Sequence, residues 1–216
     1  MNSFDTSIKN LLTQYRLSLE AANRSPKTIS SYFPILRRFS DFLKEKGKST
    51  KVNEIGRDEV RAYIRHLQVT ERWANKPRNG KDRGNMSPYS VQVHVRVVKA
   101  FFGWLADDGI IERNPLANFP LPKVPQYVIR TLTLEQINQL LSAIDKTTSL
   151  GFKYYCIILL LVDTGMRISE LVNIKINDLD IQQGYITIIG KGQKQRIVPI
   201  TIRTKRALIN YMERFR

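Results

Sequence analysis

The sequence predicts a mainly α-helical protein with a small β-hairpin or sheet late in the chain, folded as two units. Three observations lead there. Apolar residues recur at spacings of three and four through most of the first 109 positions, the signature of helices with one buried face. Pro115, Pro120, Pro122 and Pro125 then interrupt the chain, and repeated proline prevents helix and favours extended backbone. Beyond them helical spacing returns, followed by two β-branched runs flanking a glycine-containing hexapeptide.

From Phe4 to about Ala22, Ile8, Leu11, Leu12, Tyr15 and Leu19 mark a first amphipathic helix. Ser25 is placed to cap the next, with Pro26 at its first position, and Ile29, Tyr32, Phe33, Leu36, Phe39, Phe42 and Leu43 carry it to Gly47. A third begins around Ile55 to Asp58, with Val60, Tyr63, Ile64 and Leu67 on its apolar face. Ser87-Pro88 repeats the Ser-Pro start, and Val91, Val95, Val98, Phe101, Phe102 and Leu105 run to Gly109. Four such helices make a small bundle. Between the third and fourth, Arg72 to Met86 has no apolar period and carries Arg72, Lys76, Arg78, Lys81 and Arg83. That composition fits a solvated loop or a run laid along a polyanion, and Trp73 fits docking on the bundle or meeting the same partner.

The expected division is a helical domain over 1–112, a proline-rich linker over 113–130 and a second domain over 131–216. Thr133 to Gln136 is a capping box opening a helix through Ile137, Leu140, Leu141 and Ile144. Leu159 to Val162 reads as a buried helix that Thr164-Gly165 ends, since glycine takes a left-handed cap cheaply. A short helix follows at once, with Ile168, Leu171, Val172 and the stem of Lys175 expected on a buried face. Arg167 thus sits at a helix junction among apolar residues. A guanidinium there needs a partner, either Asp163 or Glu170 or a ligand anion. Tyr185 to Ile189 and Arg196 to Ile200 then flank Gly190 to Gln195 as a hairpin, with Lys191 between two glycines.

Thirty-five Lys and Arg against 19 Asp and Glu give a net charge of +16, which predicts attraction to a polyanion. Residues 1–110 hold 20 basic and 11 acidic side chains and the remainder 15 and 8, so both halves face the same partner. No apolar run approaches the ~18 residues of a membrane span and there is no signal-peptide pattern, so a soluble cytoplasmic protein is expected. Cys156, the single cysteine, falls in an apolar helix and reads as a core residue. No Cys/His cluster has metal-ligand spacing, so no metal is expected.

The order of parts from Thr164 onward is distinctive: TGxRxSEL (164–171), the D-L-D step at 178–180, Gly184-Tyr-Ile-Thr, then GKGxKxRxVPI (190–200). It resembles the tyrosine recombinase (phage integrase/Xer) family. The resemblance implies a helical SAM-like core-binding domain followed by an α+β catalytic domain. It makes Arg167 the residue that binds non-bridging oxygens of the scissile phosphate, buried and aimed into a basic concavity. It makes Lys191 the general acid that protonates the leaving 5′-oxygen. Lys194 and Arg196 become DNA-binding residues, Lys194 toward the backbone. On the two Ser-Pro helices, Thr28, Tyr32, Arg37, Arg38, Ser87, Tyr89, Arg96 and Lys99 are candidate DNA contacts, with a solvated helix face as the alternative for each. Double-stranded DNA is the implied partner, without nucleotide cofactor or metal, and the complete protein would assemble as a homo-oligomer on it.

The family's His-x-x-Arg box and nucleophilic tyrosine lie downstream of this stretch. Here the two histidines, His66 and His94, precede it, and Tyr211 falls on the packing face of a helix with Ala207, Leu208 and Met212. The expectation is an incomplete catalytic domain lacking the box and the nucleophile. Two other readings fit: a non-catalytic DNA-binding protein that occupies recombination sites, and a basic helical DNA-binding protein unrelated to recombinases, in which Arg167 and Lys191 lie far apart.

Overall fold

Two Ser-Pro steps set the architecture of the N-terminal unit. The computed structural model describes residues 6–69, 85–126, 128–190 and 194–215. In it, Ser25 Oγ accepts from the Thr28 N–H and Ser87 Oγ from the Ser90 N–H, each at 3.2 Å. Proline follows at the first helical position in both, where its missing N–H would have had no partner. The helices are α1 (Ile8–Ala21), α2 (Pro26–Glu45), α3 (Arg57–Val69) and α4 (Pro88–Asp107). Gly47 and Gly109, at φ of +64° and +70°, close α2 and α4 as left-handed caps. Pro34 lies inside α2 and leaves the carbonyl four residues earlier without its helical donor. The helix continues because Phe33, Leu36, Phe39 and Leu43 are all buried along it.

Leu36, Phe39, Tyr63, Phe101, Phe102 and Leu105 are among the fully buried side chains of this core. Rings dominate it, with Tyr15 and Phe101 edge to face at 5.2 Å and Phe39 and Tyr63 at 4.9 Å. The core does not end with α4. Leu116 and Phe119 are buried in it, Arg57 Nε donates to Pro115 O at 3.1 Å, and Gln92 Nε2 donates to Pro122 O at 2.8 Å. Residues 113–122 of the expected linker therefore pack on the bundle. Proline forbids helix there, but it does not forbid burying the two apolar side chains between the prolines. The chain divides into units 1–127 and 128–216. The basic stretch with Trp73, Arg72, Lys76, Arg78, Lys81 and Arg83 lies outside the described residues, as does Phe4.

The second unit contains α5 (Leu134–Ser142), α6 (Ser149–Thr164), α7 (Ile168–Val172), β1 (Leu179–Asp180), β2 (Tyr185–Ile189), β3 (Gln195–Pro199) and α8 (Ile202–Phe215). The strands form an antiparallel sheet in the order β1-β2-β3, with Tyr185 opposite Pro199 and Ile189 opposite Gln195. Strand β1 adds to the expected hairpin. Two residues are too few to show a period in sequence. Ile186 and Ile188 point from β2 into a core with Phe152, Cys156, Leu159 and Leu160 of α6 and Ala207 and Leu208 of α8. Cys156 is the core residue its surroundings suggested, its Sγ 3.5 Å from Ala207 O. The capping box of α5 forms from both sides, Thr133 Oγ1 to the Gln136 N–H and Gln136 Oε1 to the Thr133 N–H. Of the face expected on α5 only Leu141 is buried, while Leu140 is 44% exposed. Among the described residues no helix is long and apolar enough to cross a membrane, and no group of His, Cys, Asp or Glu is placed to hold a metal.

Candidate nucleic-acid interface

The end of α6 determines where Arg167 stands. Gly165, at φ +58°, returns its N–H to Leu161 O at 3.0 Å, and Met166 is buried beneath the turn. Arg167 then becomes the N-cap of α7. From the third position of that helix Glu170 reaches back, its Oε2 accepting the Arg167 backbone N–H at 2.9 Å and its Oε1 accepting from Arg167 Nη1 at 3.0 Å. From β3, Arg196 adds a fork, Nη1 to Oε1 at 3.0 Å and Nη2 to Oε2 at 2.8 Å. The Glu170 side chain is 5% exposed, against 70% for Arg167 and 41% for Arg196. The Arg196 hydrogen bonds first, then the Arg167 backbone N–H, hold the Glu170 carboxyl down at about 2, outweighing the cost of burying it. The same pairing raises the pKa of Arg196 further.

This corrects two expectations. Arg167 is exposed rather than buried, and Ile168 and Val172 are 62% and 74% exposed rather than packed. Helix α7 has only five residues, and Glu170 takes its buried position. Ionised, that carboxylate can be buried because four N–H groups satisfy it. Of the two partners considered for Arg167, Glu170 is the one used. Asp163 instead accepts from the Thr201 N–H at 3.0 Å, Thr201 Oγ1 at 2.7 Å and Thr204 Oγ1 at 2.5 Å, tying α6 to the start of α8.

Lys191 lies outside the described residues. Its neighbour Gly190 donates to Lys194 O at 2.8 Å across the base of the hairpin. A Cβ on Gly190 would stand 3.2 Å from Arg196 Nη1 and 3.4 Å from Glu170 Oε1, so the residue before Lys191 rests directly on the Glu170 pair. Lys194 is exposed. Tyr211 is half-buried on the core with its ring 6.3 Å from that of Phe215, as a packing residue would be.

In the helical unit Arg37, Tyr89 and Arg96 are exposed, and Thr28, Tyr32, Arg38 and Ser87 are half-buried. Thr28, Tyr32 and Arg24 share a cavity of about 340 Å³ with Tyr15 and Trp104. Several candidates already have structural work: Ser87 caps α4, Tyr32 packs on the core and Arg96 Nη2 donates to Gln92 Oε1 at 2.5 Å. Lys99 is engaged inward, its Nζ donating to Phe119 O at 2.5 Å. Nothing in the helical spacing signalled that contact, because its acceptor belongs to the irregular segment after α4.

The described residues thus give four α-helices, then an α+β unit in which the TGxR arginine and Arg196 of β3 meet on Glu170. Residues 11–112 match the phage integrase N-terminal SAM-like domain, and residues 130–215 match the phage integrase family. The chain belongs to the tyrosine recombinase family. It is 30% identical over 192 residues to tyrosine recombinase XerD of Listeria innocua, covering 89% of this chain and 60% of that protein. It is 31% identical over 191 residues to tyrosine recombinase XerC of Oceanobacillus iheyensis, covering 88% and 58%. The chain thus spans about 60% of the length of these relatives. Its fold matches the Tn1549 transposon integrase solved with transposon right end DNA, at TM-score 0.71 and 18% identity over 97% of this chain and 66% of that one. A lambda integrase tetramer bound to a Holliday junction matches at TM-score 0.69 and 19% identity, over 99% and 59%.

Proposed function

We propose that this chain carries the DNA-binding bundle and part of the catalytic unit of a site-specific recombinase, which breaks and rejoins DNA through a phosphotyrosyl link. The observation that supports this most is Arg167: a guanidinium on the family's TGxR turn, anchored through one Nη to Glu170 and otherwise open to solvent. A planar fork in that state suits a phosphate, because its charge persists at any working pH and its remaining donors match two phosphate oxygens. In the reaction, a tyrosine oxygen would attack the phosphorus, Arg167 would stabilise the charge on the non-bridging oxygens, and Lys191 would deliver a proton to the departing 5′-oxygen. The tyrosine ester conserves the bond energy for rejoining, so neither metal nor nucleotide cofactor is needed.

Arg37, Tyr89, Arg96 and Lys194, which are exposed, and Arg38, which is half-buried, are proposed DNA contacts. Thr28, Tyr32 and Ser87 would contribute from the Ser-Pro helix starts. The complete protein would assemble as a homo-oligomer on its DNA, in the cytoplasm. The nucleophile is proposed to be absent from these 216 residues, since Tyr211 is engaged in packing.

A nicked suicide duplex, which traps any phosphotyrosyl adduct, tests this reading. The chain should bind the duplex and leave no covalent protein–DNA band. A band that survives denaturation and disappears in Tyr211→Phe would contradict the assignment of Tyr211 to packing.

A further inference from the structure

Arg196 was expected to meet DNA, yet each of its terminal nitrogens donates to Glu170. We propose that Arg196 is a positioning residue: by filling Glu170, it keeps the Arg167 fork free for a phosphate. This rests on the reading of Arg167 as phosphate-binding.

An ionised carboxylate offers about four acceptor sites. On Glu170 four hydrogen bonds use them: two from Arg196, one from the Arg167 N–H and one from Arg167 Nη1. Left to itself, an arginine three residues from a glutamate would close on it with two parallel N–H···O bonds, the preferred geometry of that pair. Arg167 does not. It reaches one oxygen with one nitrogen, and among the described residues its Nε and Nη2 make no hydrogen bond. Arg196 therefore holds the carboxylate as a saturated support rather than a competitor for the fork.

Gly190 gives an independent indication. Its backbone is not in the left-handed region, so glycine is not required there by conformation. What a side chain would disturb is the latch itself, since a Cβ would come within 3.2 Å of Arg196 Nη1 and 3.4 Å of Glu170 Oε1. The hairpin glycine leaves room for the Arg196 fork to lie flat on Glu170.

Arg196→Lys separates geometry from charge. It retains the positive charge but replaces a fork with a point contact, which releases an acceptor site to Arg167. The Arg167 guanidinium resonances, assigned with Arg167→Lys in ¹⁵N-labelled protein, are followed as inorganic phosphate is added. Wild type should show saturable shifts. Arg196→Lys should need about tenfold more phosphate, equivalent to about 1.4 kcal/mol, and Gly190→Ala, which keeps both charged partners, should move the same way. Arg196→Lys with Glu170→Gln should return to the wild-type concentration or below it, because the competing carboxylate is gone. A merely structural Arg196 would leave the double variant at least as weak as the single one, and that result overturns the proposal. So does an Arg196→Lys titration identical to wild type, with the phosphate reading of Arg167 left standing. Wild-type Arg167 resonances that ignore phosphate would instead remove that reading, and the latch with it.

Discussion

Arg196 and Glu170 meet fork to carboxylate, at 3.0 and 2.8 Å, across 26 residues of sequence. The contact ties β3 to α7 and joins two parts of the family motif into one object. It also sets how the second unit responds to acid. The Glu170 carboxyl lies at about 2 in the fold against 4.5 in an unperturbed chain. A pKa lowered by folding stabilises fully above the unfolded value, and the contribution is lost as pH falls toward the folded value. Glu170→Gln should therefore weaken the hydrogen-exchange protection of the buried Ile186 and Ile188 amides at neutral pH, with the difference from wild type shrinking as pH drops from about 4.5 to 2. Equal protection at neutral pH would contradict the pairing.

The bundle should weaken in acid for another reason. His94 Nδ1 is 2.8 Å from the Tyr63 hydroxyl, and burial first, then the Arg38 charge, pushes its pKa down to about 4 from 6.5. The unfolded chain takes up this proton first, so stability falls as pH drops from about 6.5 to 4 and levels below. His66, shifted the same way, adds to the trend. Urea unfolding of the bundle, followed by tryptophan fluorescence, should show a flatter pH dependence in His94→Gln. An unchanged slope would contradict the lowered pKa, since it would mean that His94 binds its proton equally in the folded and unfolded chains.

How far the sequence reached depended on whether a feature was local. Both Ser-Pro caps, the Thr133 capping box and the Gly165 stop were legible because each depends on residues within a turn of one another. The exposure of Arg167 was not. Its apolar neighbours Ile168 and Val172 suggested burial, whereas the buried position on α7 belongs to Glu170, half of whose hydrogen bonds come from the distant Arg196. The inward turn of Lys99 escaped for the same reason, since its acceptor, Phe119 O, lies beyond α4. The TGxR and GKG motifs identified the family without revealing that Glu170 links them.

In the core of the bundle, Phe101→Ala should cost about 3–5 kcal/mol in urea unfolding, as a fully buried ring that leaves a cavity does. Leu17, 60% exposed on α1, should tolerate alanine within about 0.5 kcal/mol. Comparable losses at both positions would contradict the packing described.

We propose that the connection between the units lies after Pro122, because Leu116 and Phe119 are buried on the bundle while Val128 and Ile129 are 95% and 84% exposed. Brief proteolysis should cut first between residues 123 and 131. Earlier cutting at 113–122 would show that this segment is not held.

The most direct test of the central claim compares the salt dependence of duplex binding by wild type and Arg167→Ala. If Arg167 engages a phosphate, wild-type affinity should fall steeply as salt rises, and the slope of log K against log salt should become shallower by about 1 in the variant. Identical slopes and affinities in the two proteins would contradict the account.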